Sequence, residues 1–486
     1  MRFFVQPRVR AAIIGATLAL AYLCYAYLKR ANLAFSAGDQ WVYFAASYLF
    51  SDGVIPYRDF FFSHAPLQIL LSTLLVKMGA DLVALSILPS VIGGLSGLVL
   101  FHIAQKRMGD VRAVLALIFF LLSYANVMST LYYTGQELGL FVSLIGMHFF
   151  LSRKKGVSGV LMGLSACASI NMLVSCFVLT CTQWQWNRKY LPLFFAAMVG
   201  AFGLIQFLFI GIAGWTYVEQ TYLYHLAKPD SSTWLASNAK VFWMMTHAHG
   251  MLILLAILGF ACSLREKREG DVMNGEKQKL LTLAASITSA HILFLMLIHP
   301  IFPHYFVTIT PFLAILAAES IMVAWKWAAS FVPARKHFFV MASATAGILL
   351  FTGSMMHTLR LYRIEQYLLG VPHVVEVAES IRTSIPEDAT IFGEFGIAPL
   401  VSLLSGRRLA ANMVDSSEMR IMGKQTTMQE MIDAIEADNV QILVSRERRG
   451  INAYPPFWKY RDAHFFLART FKAEGYPTAI EVWRRR

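Results

Sequence analysis

Long apolar runs recur over the first three quarters of this chain. From residue 11 to about residue 357 their lengths lie near the ~20 residues that an α-helix needs to cross the core of a bilayer. Over the 486 residues the mean hydropathy is +0.54 and 15% of the residues are charged, which is too apolar for a soluble protein of this length. The sequence therefore predicts an integral membrane protein whose main domain is all-α and polytopic.

The distribution of charge predicts the topology. Residues 1–359 carry 25 Lys and Arg against 13 Asp and Glu, whereas residues 360–486 carry 17 against 16. The excess lies in short clusters between apolar runs, which is typical of cytoplasmic loops, so no nucleic-acid partner is predicted. These clusters are Arg8/Arg10, Lys106/Arg107/Arg112, Arg153-Lys154-Lys155, Arg188-Lys189, Arg265/Lys267/Arg268 and Arg335-Lys336.

Placing the basic clusters in the cytoplasm predicts about eleven crossings, with the N-terminus inside and the C-terminal domain outside. The predicted spans are residues 11–28, 82–104, 112–131, 137–152, 156–168, 170–183, 191–213, 248–264, 280–298, 305–325 and 338–358. The pair 156–168 and 170–183 is short, and one long tilted helix is an alternative that would invert the later topology.

The stretch from Lys29 to Asp81 is predicted to be one external loop with two helices along the membrane surface. The first covers residues 41–50, whose aromatic side chains suit the headgroup region. The second covers residues 66–78, an apolar run too short to span.

Residues 1–359 are thus predicted to form the transmembrane domain and residues 360–486 a small extracytoplasmic α/β domain. Within the latter, helices are predicted at 372–384 and 426–437, and strands at 390–392, 440–444 and 479–483. The five cysteines all fall in apolar runs, so neither disulfides nor a zinc site is predicted.

Asp39 is an isolated acid in the predicted external loop, within Gly38-Asp39-Gln40-Trp41, and His64-Ala65-Pro66-Leu67 follows about twenty-five residues later. A carboxylate at the membrane surface can take the proton from an acceptor hydroxyl or amine during glycosyl transfer. The alternative is a solvated loop acid without a chemical role.

This arrangement resembles the GT-C superfamily of polytopic glycosyltransferases, in the branch of the protein O-mannosyltransferases and the aminoarabinose transferase that modifies lipid A. The resemblance is most specific between Ala37 and Asp110. Gln40 stands where the family commonly has Glu, and His64-Ala65 replaces a basic residue and the first proline of a Pro-Pro-Leu element. The resemblance implies an inverting enzyme with a polyprenyl-phosphate sugar donor, in which Asp39 is the general base.

Glu137 opens the span after the short loop Tyr132-Tyr133-Thr134-Gly135-Gln136, and the resemblance makes it the catalytic partner of Asp39. The alternative is a helix-start carboxylate stabilised by the helix dipole. The leaving phosphate needs cationic or hydrogen-bonding partners. Candidates for this donor-phosphate site are Arg58, His64, His304 and Tyr305. His299 and His304 have an alternative role as headgroup-level residues of a proline-rich turn.

No cofactor is predicted, although five histidines on the predicted outer side, with His247 and His249 as a chelating pair, leave a divalent metal as a minor alternative; the other three are His225, His299 and His304. The aromatic residues of the loop 214–246 suit either sugar stacking or a membrane-interface belt, and the belt is favoured.

The sequence thus predicts a glycosyltransferase of the bacterial inner membrane that acts on an extracytoplasmic lipid, glycan or protein acceptor. Two alternatives remain: a flippase or transporter of lipid-linked sugars, and a polysaccharide polymerase or ligase.

Overall fold

The computed structural model describes residues 7–29, 35–129, 133–227, 234–268, 275–298, 300–331, 353, 356–361, 363–364, 370–446, 450–477 and 479–486. Most of these residues are helical, and a small sheet lies towards the C-terminus. Four described helices are long and apolar enough to cross a membrane: Leu82–Met108, Arg188–Ala213, Asn238–Leu264 and Gly275–Leu297. The count of about eleven crossings and the domain boundary at 359/360 stay predictions, since the last predicted span lies mainly outside the described residues.

The apolar runs form helices close to their predicted positions. In chain order these are α1 (Pro7–Lys29), α2 (Gln40–Ser51), α3 (Pro66–Lys77), α4 (Leu82–Met108), α5 (Asp110–Leu121), α6 (Tyr124–Ser129), α7 (Gln136–Leu151), α8 (Lys155–Ala168), α9 (Met172–Trp186), α10 (Leu191–Ala213), α11 (Trp215–Val218), α12 (Tyr224–Leu226), α13 (Trp234–Arg268), α14 (Gly275–Leu297) and α15 (Thr310–Phe331). A π-helical turn, Glu219–Leu223, joins α11 to α12, and a 3₁₀ turn, Pro303–Thr308, precedes α15.

Helices α8 and α9 form an antiparallel hairpin. Near its closed end the Cys176 thiol donates a hydrogen bond to the Met162 carbonyl oxygen, at 3.3 Å. At its open end, Lys155 donates to the carbonyl oxygen of Phe150, whose ring lies 6.0 Å from that of Trp186. The two segments therefore run in opposite directions, and the alternative of one long tilted helix is wrong.

Helix α13 begins fourteen residues before the span predicted at 248–264. The additional N-terminal turns of α13 contact the loop before α15. There the Asn238 side chain donates a hydrogen bond to the Ile298 carbonyl oxygen (2.8 Å) and accepts one from the Ile301 amide (3.3 Å). Hydropathy identified the apolar part of this helix but not its polar extension, which is stabilised by these tertiary contacts.

Helix α2 lies at its predicted position, but its aromatic side chains are in protein rather than at headgroup level. Trp41, Tyr43 and Phe44 are each at most 2% exposed. The helix packs against α3 on one side and against a helix of the C-terminal region on the other. The predicted headgroup contact is therefore wrong for these three side chains, because protein covers them, whereas the position of the helix along the membrane surface stays a prediction.

The C-terminal region, residues 370–486, is a small α/β unit as predicted. Its strands are β1 (Thr390–Gly393), β2 (Arg408–Leu409), β3 (Ile442–Arg446), β4 (Phe465–Phe471) and β5 (Ile480–Arg485). They lie in the order β2-β1-β3-β5-β4, with β1 parallel to both β2 and β3, and β5 antiparallel to β3 and β4. Its helices are α16 (Val374–Ser384), α17 (Ala398–Ser405), α18 (Glu418–Met422), α19 (Met428–Ala437) and α20 (Pro455–His464).

The carboxyl end of β1 faces the membrane helices. The Gly38 amide donates to the Gly396 carbonyl oxygen across this junction, at 3.0 Å. Behind it, the buried Glu394 carboxylate accepts from the Arg446 guanidinium and amide, which joins the ends of β1 and β3. Loops at the carboxyl ends of parallel strands are where open α/β sheets bind ligands.

A buried carboxylate joins three helices of the bundle. Glu319 in α15 has no solvent exposure. Its carboxylate oxygens accept from Arg112 Nε of α5, at 2.6 Å, and from Lys277 Nζ of α14, at 2.5 Å. Because buried charges are costly unless they are paired, this triad fixes the relative positions of the three helices.

Replacing Glu319 by glutamine tests this triad. Glu319→Gln leaves the buried Lys277 and the half-buried Arg112 without a counter-charge, so we expect the free energy of unfolding to fall by about 3–5 kcal/mol. The midpoint of thermal unfolding in detergent measures it. The control is Glu379→Gln, which breaks an exposed ion pair with Arg382 and should cost about 0–1 kcal/mol. Equal midpoints for the two variants would contradict this role for Glu319.

Candidate functional site

The loop between α2 and α3 is compact and held from two sides. Tyr57 adopts a left-handed backbone conformation (φ 65°), and its hydroxyl donates to the His64 carbonyl oxygen at 2.6 Å. Gln220, in the π-helical turn, donates to the Tyr57 carbonyl oxygen at 3.1 Å and accepts from the Phe62 amide at 2.9 Å. The strained turn and this clamp fix the position of the His64 imidazole, and π-helical turns are frequent at functional sites.

Asp39 occupies the N-cap position of α2 without capping it. Its side chain accepts no capping hydrogen bond, and the residue is half-buried beneath the C-terminal region. An aspartate at this position usually accepts from the amides of the first turn. Here the carboxylate lies where it can act on other groups.

The Tyr43 hydroxyl lies at the centre of the site. Its oxygen is 2.6 Å from His64 Nε2, and the side chain is fully buried. Burial raises the pKa of the Tyr43 hydroxyl well above 10.0, and the nearby Asp39, Tyr305, Asp415 and Glu137 raise it further. Asp39 lies one helical turn before Tyr43, and Tyr305, Asp415 and Glu137, from three other parts of the chain, lie within electrostatic range of the Tyr43 hydroxyl.

Glu137 is positioned by a glycine that no other residue can replace without strain. Gly135 precedes α7 with φ +81°, and a Cβ there would lie 2.4 Å from the Ala168 carbonyl oxygen. This close approach buries Glu137 in the first turn of α7, at 1% exposure. The helix dipole favours a carboxylate at this position. The dipole does not account for the burial of Glu137 within electrostatic range of Tyr43 and Tyr133. Burial is the main cause of the raised pKa of these two hydroxyls, and the Glu137 carboxylate raises it further.

The 3₁₀ turn before α15 brings two further predicted residues to the site. Tyr305 lies within electrostatic range of Asp39: burial raises the pKa of the Tyr305 hydroxyl, and the Asp39 carboxylate raises it further. The buried His304 imidazole stacks on Phe302 at 5.6 Å and meets the Tyr305 ring edge-on at 4.8 Å. His299 lies outside the described residues.

Arg58 lies apart from this cluster. Its side chain is 52% exposed and donates to the carboxylate of Asp59, at 2.8 Å from Nε. The structure therefore brings Asp39, Glu137, His64, His304 and Tyr305 into one region, whereas the Arg58 side chain is exposed to solvent.

Arg420 was not identified from the sequence, and three other residues of the site were considered only for other roles: His225 for a metal, Tyr224 for sugar stacking or an interface belt, and Asp415 for a loop of an acceptor-binding or structural module. His225 lies beside His64, with ring centroids 5.8 Å apart, and its Nε2 is 2.6 Å from the Ser63 carbonyl oxygen. The ring of Tyr224 is 5.2 Å from that of His225. Asp415 and Arg420 come from the C-terminal region. The sequence signal was composition alone, since Tyr224 and His225 belong to the aromatic loop 214–246.

The aromatic side chains of the loop 214–246 form an exposed group and a buried group. Trp215 and Trp243 are more than 60% exposed, as expected of an interface belt. Tyr217 and Tyr224 are buried and face the first loop, where Tyr57 lies 4.8 Å from Tyr217. The belt interpretation therefore fits the tryptophans and not these two tyrosines.

The two histidines of the predicted chelating pair, His247 and His249, make other contacts. His249 Nε2 accepts from the Ala125 amide at 3.1 Å, and its Nδ1 is 3.1 Å from the Met245 carbonyl oxygen. The His247 ring packs edge-on against Trp243. Within the described ranges, no group of three or more His, Cys, Asp or Glu side chains could hold a metal ion.

Comparison with solved structures identifies the fold. The chain is similar to ArnT from Cupriavidus metallidurans, solved bound to undecaprenyl phosphate, with a TM-score of 0.65, 12% identity, and coverage of 97% of this chain and 98% of that one. The apo state of the same protein gives a TM-score of 0.64. The Archaeoglobus fulgidus oligosaccharyltransferase, solved in complex with Zn and sulfate, gives 0.53 at 13% identity and covers 96% of this chain and 72% of that one.

No protein-family model and no curated protein matches the sequence. Both structural neighbours are GT-C glycosyltransferases. The likeness extends over nearly the whole chain, including the helices and the C-terminal sheet region. The chain therefore has the fold of the GT-C glycosyltransferases, in agreement with the resemblance of its Asp39 region.

Proposed function

We propose that this protein is an inverting glycosyltransferase of the bacterial inner membrane. It takes a sugar from a polyprenyl-phosphate donor and transfers it to an extracytoplasmic lipid, glycan or protein acceptor. One observation carries the proposal: in a GT-C fold, Asp39 lies one helical turn before Tyr43, whose hydroxyl is 2.6 Å from His64 Nε2 and within electrostatic range of Glu137 and Tyr305. Transfer to an acceptor requires a base, and departure of the phosphate requires hydrogen-bond donors or cations.

In this proposal Asp39 is the general base. Its carboxylate takes the proton from the acceptor O–H or N–H, and the acceptor lone pair attacks the anomeric carbon. The glycosidic C–O bond breaks on the opposite face, and polyprenyl phosphate leaves with the electron pair. A single displacement of this kind inverts the anomeric configuration.

Glu137 is assigned the role of catalytic partner to Asp39. Its buried carboxylate lies within electrostatic range of the Tyr43 hydroxyl, as does that of Asp39, and a second negative charge nearby raises the basicity of the first. Glu137 can also accept a hydrogen bond from the acceptor and so hold it in position.

The leaving phosphate is assigned to the side of the site where His64, His304 and Tyr305 lie. The Tyr305 hydroxyl is neutral because burial and Asp39 raise its pKa, so it can donate a hydrogen bond to a phosphate oxygen. His64 is fixed by its contact with Tyr43 and by the clamped loop. The ArnT structure holds undecaprenyl phosphate, which supports a donor of this chemical class.

Replacing Asp39 by asparagine tests the base. Asp39→Asn keeps the shape of the side chain but cannot accept the proton, so the transfer rate should fall by about 10²–10⁴-fold, the usual contribution of a general base. The measurement is transfer in nanodiscs from undecaprenyl-phosphate sugars to candidate acceptors. Asp52→Asn, an exposed residue at the other end of α2, is the matched control. A fully active Asp39→Asn enzyme would remove this mechanism, and lipid translocation without transfer would favour a flippase.

The position of the site relative to the membrane gives an independent test. We expect a cysteine placed at exposed Asp52 to react with a membrane-impermeant maleimide from the extracytoplasmic side. A cysteine at exposed Lys154, in a predicted cytoplasmic loop, should react only after the inner membrane is opened. Both variants are made in a chain whose five natural cysteines are replaced. The reverse labelling pattern would contradict the proposed orientation.

A further inference from the structure

A guanidinium of the C-terminal region enters the site described above. Arg420 belongs to α18, whose C-terminal end packs on the membrane helices: a Cβ at Gly423 would lie 2.9 Å from Tyr224 Cε2. The Arg420 guanidinium carbon lies 4.7 Å over the ring of Phe61, in the loop that also carries His64. Arg420 is thus held against the first loop by stacking and by the close approach of Gly423.

A chain of ring contacts connects Arg420 to the phosphate-side residues. Phe61 meets Tyr224 at 5.3 Å, Tyr224 meets His225 at 5.2 Å, and His225 meets His64 at 5.8 Å. Tyr224 also lies within electrostatic range of both Arg420 and Tyr305. Arg420 therefore borders the side of the site that holds His64 and Tyr305.

The hydrogen bonding of Arg420 is incomplete. Its Nη1 donates to the Asp415 carbonyl oxygen at 3.0 Å, whereas its buried Nε has no hydrogen-bond partner. A buried donor of a charged group is energetically unfavourable when it lacks a hydrogen-bond partner. An arginine binds a phosphate through two parallel N–H donors, and Nε with an adjacent Nη is one such pair.

The other polar groups of the site provide no permanent positive charge to a bound phosphate. Tyr305 is neutral, a histidine is charged only when protonated, and Arg58 pairs with Asp59 at the surface. Asp39 and Glu137 add negative charge nearby. An arginine remains protonated under all physiological conditions and can offset the charge that develops on a leaving phosphate.

We propose that Arg420 binds the phosphate of the polyprenyl-phosphate donor, so that the C-terminal region completes the donor site. This inference rests on the proposed function for the identity of the donor. Arg420 contacts the non-bridging phosphate oxygens before and during C–O bond cleavage, while Asp39 acts on the acceptor. The Phe61 ring holds the guanidinium plane in place.

The test compares lipid binding by purified full-length variants in nanodiscs, with undecaprenyl phosphate as the probe and undecaprenol as its uncharged counterpart. Arg420→Gln should weaken undecaprenyl phosphate binding by about 10–100-fold, the loss expected for a charged hydrogen bond. Undecaprenol binding should not change. Arg420→Lys should retain part of the affinity as a point charge. The control Arg382→Gln removes an exposed arginine of the same region and should bind like the unmodified chain.

A second measurement does not depend on the folding of a variant. Undecaprenyl phosphate should protect Arg420 of the unmodified chain from an arginine-specific dicarbonyl reagent, as read by peptide mass spectrometry, and undecaprenol should not. Unweakened undecaprenyl phosphate binding by Arg420→Gln, or equal weakening for both lipids, would overturn the inference, and so would equal modification of Arg420 with and without the phosphate.

The experiments distinguish a failure of the Arg420 inference from a failure of the proposed function. If the unmodified chain transfers no sugar while Arg420→Gln still loses undecaprenyl phosphate binding, the Arg420 site stands and the enzymatic proposal fails. If transfer depends on Asp39 but Arg420→Gln binds the lipid normally, the enzyme proposal stands and the phosphate is held by other residues.

Discussion

The N-terminal half of α2 is buried on all sides, and this burial determines where the polar groups of the site lie. Gln40 to Ser47 are all buried between α3, α4 and the C-terminal region. The Gly38–Gly396 backbone hydrogen bond fixes the start of the helix, so Asp39 and Tyr43 face the enclosed space. In a low-dielectric enclosure, charges act on one another strongly, which is how Asp39, Glu137 and Asp415 all influence one phenol.

The Tyr43–His64 contact accommodates changes of charge. Because burial keeps the Tyr43 phenol protonated, its hydroxyl can donate to a neutral His64 or accept from a protonated one. Tyr57 and Gln220 hold the backbone of the loop that carries His64, so this contact lies in a fixed part of the site.

Local patterns predicted much of this architecture. Hydropathy located α4, α7, α10 and α14 to within a few residues, since apolar runs in lipid must be helical. The strands β1, β3 and β5 followed from β-branched runs, whereas β4, with five consecutive exposed residues, gave no such signal. Asp39 and Glu137 were selected by motif and position. Arg420 was missed, and Asp415 and Tyr224 were not assigned to this site, because their roles arise from contacts between segments about two hundred residues or more apart, which a pattern-based argument cannot register. The predicted headgroup contact of Trp41, Tyr43 and Phe44 was wrong for the same reason.

The central claim is that the donor's phosphate binds in the space enclosed by the first loop, the 3₁₀ turn before α15 and the C-terminal region. A cryo-EM structure of the full chain with undecaprenyl phosphate tests it most directly. We expect the phosphate oxygens to lie within hydrogen-bonding distance of Tyr305 and the Arg420 guanidinium, with the Asp39 carboxylate facing the same cavity. A phosphate bound away from Tyr43, or on the opposite side of the membrane from the C-terminal region, would contradict the account.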